Sequence, residues 1–519
     1  MKAPHYADDS VTLYHGDCLD VLREMPDASV DSVVCDPPYG LSATSTRDVV
    51  NALTRWTGGE RDYVPEGAGF MGKSWDAFVP PPAVWDECMR VLKPGGHLLA
   101  FAGSRTHDLM GLSIRLAGFE IRDSIMWIYG TGFAKSLDVS KAIDKQRDDR
   151  PDILRVTGWL AAQRDRAGLT NRDIDEAFNF HGMAGHWTAA PHLKIAHVPQ
   201  WEQWQKLREL IGFGDEMDAE VWRLNGRKGT PGEAWGQREV IGARTTGIGT
   251  GNGSVPYIGD SGNRDITAAA TDAARQWEGW GTALKPSHEP VVVARKPLAG
   301  TVAQNVTQYG TGALNTDGCR IEGRERTDYG LANAKRSRVA TYGNPSESAD
   351  FDASQGRWPT NVVLDEAMAA ELDRQSGWSK SPPVGSVVKV KASQGFDGKA
   401  FAIGAHVTSN GKGDEGGASR FFPVFKYTAK AGSDERPEVD GVRHPTVKPV
   451  SLISWLVKLV TPPGGLVLDP FAGSGTTGEA AVLEHMRAIL IEREPDYLPL
   501  IVSRLSKPLQ VGFDFREAA

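Results

Sequence analysis

Asp36, Pro37, Pro38 and Tyr39 follow directly on the apolar run Val30 to Cys35 (VDSVVC). A buried strand that ends in an acid, two prolines and an aromatic leaves a rigid turn presenting a carboxylate, bare carbonyls and a ring. Proline fixes φ and carries no N–H, so the Pro37 carbonyl keeps one direction. The exocyclic amine of adenine or cytosine is a poor nucleophile because its lone pair is delocalised into the ring. If the Asp36 carboxylate and the Pro37 carbonyl each accept one amino hydrogen, the nitrogen moves toward tetrahedral geometry and aims its lone pair at an electrophile held opposite. Tyr39 can stack on the base. A strand followed by an ordinary proline turn with a capping Asp would use the same four residues, so the reading needs a second part.

Residues Gly465 to Glu492 supply it, reading as strand, glycine-rich turn, helix and strand, half of a Rossmann-like nucleotide site. Leu466 to Leu468 form the first strand and Asp469 ends it. Pro470, Phe471, Ala472, Gly473, Ser474 and Gly475 let the backbone pass close under a ligand, and Thr476 opens the helix. Glu492, closing the strand Ala488 to Ile491, is placed to accept from two ribose hydroxyls. The loop has neither the Gly-Lys-Ser/Thr of a P-loop nor a full Gly-x-Gly-x-x-Gly, which points to a nucleoside without a pyrophosphate. S-adenosylmethionine fits that description. A dinucleotide dehydrogenase is the alternative for the loop alone, but it leaves Asp36 to Tyr39 without a role.

An Asp-Pro-Pro-Tyr turn near the N-terminus paired with a Phe-x-Gly-x-Gly loop near the C-terminus resembles the amino-group DNA methyltransferases, in the motif order of their beta class. The resemblance spans about 12–130, 285–300 and 420–505. It implies an α/β fold, a doubly wound seven-stranded Rossmann-like core with large inserted recognition regions, and S-adenosylmethionine as cofactor. It also implies that Asp17 and Cys18 lie near the cofactor adenine and that His444 to Pro449 (HPTVKP), with Lys448, line its methionine end. Asp at position 36 leans toward adenine N6, Ser there toward cytosine N4. Asn would suit an RNA or protein-amide acceptor. A catalytically dead DNA-binding protein would require a damaged Asp36 or cofactor loop, and both are intact.

For the two motifs to act together, the strand ending at Asp469 must lie beside the strand ending at Asp36, at the switch point of the sheet. Methyl transfer would then be direct and in line. Methylation at a ring carbon would need a nucleophilic thiol in a Pro-Cys pair, which is absent, and Cys35 reads as a small core residue. The four cysteines, without C-x-x-C or a His cluster, suggest neither disulfides nor a metal site.

A chain of 519 residues is long enough for two or three units. With no apolar leader and no run of 18 apolar residues, it is expected to be soluble and cytoplasmic, nucleoid-associated in a bacterial or phage-infected cell, and in contact with no membrane. The net charge of −8 is not that of a general polyanion binder, so any phosphate-facing surface must be local. The expected core elements are strands Val11–His15, Val30–Cys35, His97–Ala102, Ile121–Tyr129 and Glu289–Arg295. Helices are expected near Leu19–Met25, Pro82–Leu92, Thr106–Ala117 and Val450–Val460, with a turn at Lys93–Gly96. Ser42 to Val79 reads as a poorly patterned mobile loop over the site.

The expected organisation is core at 1–135, a helical insert and Gly-rich loop at 136–284, a core strand at 285–299, a target-recognition region at 300–425 and core again at 426–519. Within the first insert, WLAAQRDRAGLTNRDIDEAF resembles a helix-turn-helix with Leu160, Ala161, Ala167, Ile174 and Phe178 as core positions. Asp173, Asp175 and Glu176 weaken its reading as a DNA-groove binder. Gly226 to Gly281 reads as a long loop. Residues 300–425 carry basic positions (Arg320, Arg324, Arg326, Lys335, Arg336, Arg338) and short strands at Asn361–Leu364 and Val387–Val390. A base in duplex DNA must be rotated out to reach a buried cofactor. Trp127, Tyr129 and Phe133 are candidates for the wall opposite Tyr39, and Lys285, His288 and Arg320 for phosphate or nucleotide contacts. The expected activity is N6-adenine methylation of double-stranded DNA by a solitary methylase; cytosine N4 is the alternative, and a homodimer is compatible with the sequence.

Overall fold

The computed structural model describes residues 3–41, 45–67, 69, 74–130, 136–190, 192, 195–227, 230–244, 264–321, 357–380, 387–389, 393–394, 400–401, 406–408, 415–425 and 436–507. The chain divides into two compact units, residues 1–133 with 286–519, and residues 134–285.

The larger unit is built on one sheet of ten strands: β1 (Tyr6–Ala7), β2 (Val11–His15), β3 (Val30–Cys35), β4 (Leu92–Phe101), β5 (Glu120–Ile128), β6 (His288–Arg295), β7 (Val362–Asp365), β8 (Val424–Phe425), β9 (Leu466–Asp469) and β10 (Arg487–Glu492). Their spatial order is β1-β2-β10-β9-β3-β4-β6-β5-β7-β8. The expected seven-stranded core is the run from β2 to β5. A short antiparallel strand, β1, extends it at one edge, and β7 and β8 extend it at the other in parallel. Within the seven, only β6 runs antiparallel to its neighbours.

Helices cover both faces, so the central strands are apolar on both sides. All six residues of β3 are buried. Val34, Leu99 and Val467 point to one side, into a core that includes Leu452, Ile453 and Leu456 of a helix at Val450–Val460. Val33, Cys35, Leu98 and Leu468 point to the other, against Leu22 of a helix at Cys18–Glu24, Trp85 and Cys88 of one at Pro82–Val91, and Met110 and Ile114 of one at His107–Leu116. β9 pairs with β3 in parallel, Val467 opposite Ser32 and Leu468 opposite Val33. Polar side chains fix that register: Asp31 accepts from the Leu466 N–H at 2.7 Å, and the Ser32 and Thr461 hydroxyls are 2.7 Å apart.

Three local expectations are corrected. Lys93 to Gly96 is no turn before a strand; it lies inside β4, with a register shift opposite β3 between Val30 and Ser32 and Lys93 paired to Asp31 at 2.6 Å. The loop expected from Ser42 to Val79 contains a helix at Thr46–Thr57, closed by a Ser45/Asp48 capping box. Val49, Ala52, Leu53 and Trp56 turn its apolar stripe to the core. Within Gly226–Gly281, Val240–Arg244 pairs with Arg264–Thr267 and a helix forms at Asp272–Gln276.

The smaller unit is helical. Helices at Arg150–Arg166 and Asn171–Phe178 flank the expected turn, the second started by a Thr170/Asp173 capping box. Leu160 and Ile174 are buried with Trp187, Trp204 and Leu207, and Phe178 packs at the margin. Ala161 is half-buried, while Ala167 is exposed because it follows the end of the first helix, so it is no core residue. The acids have local partners: Asp173 caps its helix, Asp175 accepts from the Gly182 and Ala184 N–H groups, and Glu176 pairs with Arg172.

Residues 300–425 stand with the larger unit, contributing β7 and β8 to its sheet. The strand expected from Asn361 begins at Val362, and Val387–Lys389 pairs with His406–Thr408. Arg324, Arg326, Lys335, Arg336 and Arg338 lie outside the described residues, as does Phe133.

Candidate active site

The parallel pairing of β3 and β9 brings Asp36 and Asp469 to the same, carboxyl edge of the sheet, and β10 adds Glu492 beside them. A crevice of about 650 Å³ opens there, within the range of sites that enclose a nucleoside-sized ligand. Among its lining residues are Asp17, Cys18, Asp36 to Tyr39, Trp127, Lys448, Asp469 to Ser474, Thr476 and Glu492.

The catalytic turn is held from several sides. Asp76, buried under it, accepts the backbone N–H of Tyr39 at 2.7 Å and of Gly40 at 3.0 Å, and the Thr106 hydroxyl donates to the Tyr39 carbonyl at 2.6 Å. Gly40 has φ +64°, and a Cβ there would lie 2.9 Å from the Phe78 backbone, so the exit of the turn requires glycine. Asp36 Oδ2 accepts from Lys448 Nζ at 2.6 Å, whereas Asp36 Oδ1 is buried without a hydrogen-bond partner among the described residues. The Tyr39 hydroxyl donates to Glu289 Oε2 at 3.0 Å.

On the opposite lip, the Phe471 N–H donates to Asp469 Oδ1 at 3.0 Å and the Gly473 N–H to Glu492 Oε2 at 2.7 Å. Burial pushes both carboxyls up to about 7, against the lowering effect of those N–H groups. Glu492 also accepts from the Glu494 N–H at 2.8 Å, which leaves lone pairs on both oxygens for a ligand. The loop is anchored from below by Arg504, which donates to the Ser474 carbonyl at 2.8 Å. Asp17 caps the helix that Cys18 begins, accepting from the Leu19 N–H at 3.0 Å. Burial raises the Cys18 thiol to about 12 and keeps the Cys35 thiol well above its usual range, so neither is a nucleophile at neutral pH.

His444 stands over the glycine loop. Its Nδ1 is 2.6 Å from the Thr446 carbonyl, which can only accept, so Nδ1 carries the proton and Nε2 is an acceptor. Burial lowers its pKa to about 4, which keeps the ring neutral.

Four expected site residues stand elsewhere. Gly475 does not line the crevice; with φ +78° it makes the sharp entry into the helix Thr476–Leu483, and its Cα packs against Ile501. His288 opens β6 opposite Ile128, and its neighbour Glu289 lines the crevice in its place, because side chains alternate along a strand. Arg320 pairs with Asp317 at 2.7 Å and lies over the Trp358 ring. Lys285 is the last residue of the smaller unit. Lys448 is in the crevice, but it reaches the catalytic turn rather than the glycine loop. Glu289 and Asp76 were not legible as site residues: the first reads only as the start of an apolar strand, and the second acts through the backbone of a turn 36 residues before it.

Residues 274–503 match the family model described as DNA methylase. The chain is 30% identical over 99 residues to the type II methyltransferase M.BamHI of Bacillus amyloliquefaciens, covering 19% of each. To the type II methyltransferase M2.MboI of Moraxella bovis it is 48% identical over 58 residues, 11% of this chain and 21% of that one. The chain thus spans about a fifth of the length of these relatives. Among solved structures, the PvuII DNA methyltransferase (cytosine-N4-specific) aligns at 11% identity and TM-score 0.35 over 97% of this chain and 89% of the other. The glycine loop, Lys448 and Glu289 fall inside the matched segment, so the segment 274–503 is similar to the N6/N4 DNA methylases.

Proposed function

We propose that this protein transfers a methyl group from S-adenosylmethionine to the exocyclic N6 of an adenine rotated out of double-stranded DNA. The observation that carries the reading is Asp36 Oδ1, a buried acceptor without a hydrogen-bond partner among the described residues, in a crevice whose other lip is a glycine loop with two strand-end carboxylates. A buried acceptor left unsatisfied is costly, and a donor from a substrate amine relieves it.

The donor set suits the cofactor. Glu492 keeps lone pairs for a vicinal diol, Asp17 and Cys18 border the same space, and Phe471 to Ser474 bring backbone to its floor. When bound, the sulfonium supplies an electrophilic methyl group. The chain's part is to hold the amine: Asp36 Oδ1 accepts a hydrogen bond from one amino hydrogen and the Pro37 carbonyl from the other, the nitrogen lone pair is turned toward the donor lip, and the single proton that the nitrogen sheds on transfer leaves along the hydrogen bond to the Asp36 carboxylate and on to solvent. Tyr39 and Trp127, both lining the crevice, offer ring faces to the base. Cytosine N4 presents the same pair of amine hydrogens, and Asp36 favours adenine by resemblance to the family.

The test is to sequence modified bases in DNA from cells producing the protein, beside cells producing Asp36→Ala. Methyladenine should appear with the first, and the variant's rate should fall by about 10²–10³. Methylcytosine in its place overturns the choice of base; an Asp36→Ala protein as fast as wild type overturns the role of the carboxylate.

A further inference from the structure

Lys448 braces the catalytic lip of the crevice in a way that the transfer reading alone does not require. Its buried ammonium lies 2.6 Å from Asp36 Oδ2 and 3.4 Å from Glu289 Oε2, over the rings of Tyr39 and Phe101 at 5.3 and 5.0 Å. Glu289 Oε2 is also the acceptor of the Tyr39 hydroxyl. Asp36, Lys448, Glu289 and Tyr39 therefore form one connected set, in which Asp36 Oδ1 is buried without a hydrogen-bond partner among the described residues.

A carboxylate rotates broadly about its last torsion and could offer either oxygen to a substrate. An ammonium bound to one oxygen removes that freedom. The charge also matters. A lone ammonium would repel a cationic methyl donor, but two carboxylates and one ammonium sum to −1, so this cluster attracts it.

We infer that Lys448, braced by Glu289, is a positioning residue that engages Asp36 Oδ2 and so commits Oδ1 to the substrate amine, while Glu289 holds the Tyr39 ring in place through its hydroxyl. The inference rests on the amino-methyl transfer proposed above. Burial works against the charge on Lys448, but Asp36 and Glu289 outweigh it and raise its pKa, so the ammonium persists at working pH.

The full-length protein and its Lys448→Met, Lys448→Arg and Glu289→Gln variants are compared on unmodified genomic DNA, with kcat and its pH profile measured, S-adenosylmethionine binding followed by calorimetry, and thermal melting as a check on folding. Methionine keeps an unbranched stem as far as Cε and removes the ammonium and its charge. The expected result for Lys448→Met is a kcat about 10²–10³ lower with cofactor affinity changed by less than about threefold. Arginine should recover part of the loss. In Glu289→Gln, one of the two charges that raise the Lys448 pKa is gone, so the alkaline limb of kcat should move to lower pH; a merely structural role would leave that limb in place.

Wild-type kcat in Lys448→Met overturns the inference, and so does a loss of activity that follows a matching loss of cofactor affinity. If Lys448→Met melts before it can be assayed, an alkaline limb in Glu289→Gln identical to that of wild type overturns it. A wild-type protein that methylates no DNA brings down both the proposed function and this inference; a methylating wild type with an indifferent Lys448 brings down the inference alone.

Discussion

Glu492 carries a consequence that can be measured without turnover. Its carboxyl is raised to about 7 by burial, so in the ligand-free protein it holds a proton below neutrality and loses it above. Hydroxyl donors favour the ionised form, since a carboxylate accepts more strongly than a carboxylic acid. Binding through a diol is therefore linked to proton release, and affinity should rise with pH. A group titrating near 7 is about one-tenth ionised a unit below and nine-tenths a unit above, so the cofactor dissociation constant should fall about tenfold between pH 6 and pH 8. Calorimetry across that range checks it, and Glu492→Gln should bind more weakly with a flat profile. A wild-type affinity that is flat or weakens toward pH 8 would remove Glu492 from the diol contact. Asp76 offers a second residue-level test, because it satisfies two backbone N–H groups of the catalytic turn. Asp76→Ala should lower kcat with little change in cofactor affinity, as the turn loses its fixed direction while the glycine loop keeps its own anchor in Arg504.

At the scale of elements, the glycine loop depends on a helix entry that tolerates no side chain. Gly475 has φ +78°, and a Cβ there would sit 2.9 Å from Ile501 Cγ2. Gly475→Ala should cost about 1–3 kcal/mol from the backbone alone, read as a lower urea midpoint with an unchanged slope, and in a double-mutant cycle the same substitution should cost less in an Ile501→Ala background, where the contact is relieved. The strands carrying the chemistry were legible because each is a short apolar run stopped by an acid, and their parallel pairing follows from the topology of a doubly wound sheet. The helix at Thr46–Thr57 was missed although Val49, Ala52, Leu53 and Trp56 have helical spacing, since glycines and arginines around it dilute the pattern over a longer window. Lys93 to Gly96 misled for a different reason: Pro-Gly-Gly signals a turn, but β4 absorbs it as an irregularity beside β3. Glu289 could have been suspected only from the alternation that buries Val291 and Val293 together on one face of β6.

For the whole molecule, hydrophobic organisation separates along the same line as the compact units. Among the described residues, the core of the helical insert, with Leu160, Ile174, Trp187, Trp204 and Leu207, draws on none outside 134–285, and the two cores flanking the sheet draw on none inside it. The described residues that line the crevice all belong to the larger unit, so stabilisation by a ligand bound there acts on the unfolding of that unit through the concentration of ligand relative to its dissociation constant. A buried tryptophan of the insert acts on the other. Trp204 is fully buried, and truncation of such a side chain costs about 3–5 kcal/mol. Scanning calorimetry of the full chain should therefore resolve two transitions: saturating S-adenosylmethionine raises one, and Trp204→Ala lowers the other. If both perturbations moved a single transition together, the two cores would be thermodynamically one, and the insert would have to be regarded as part of the catalytic body.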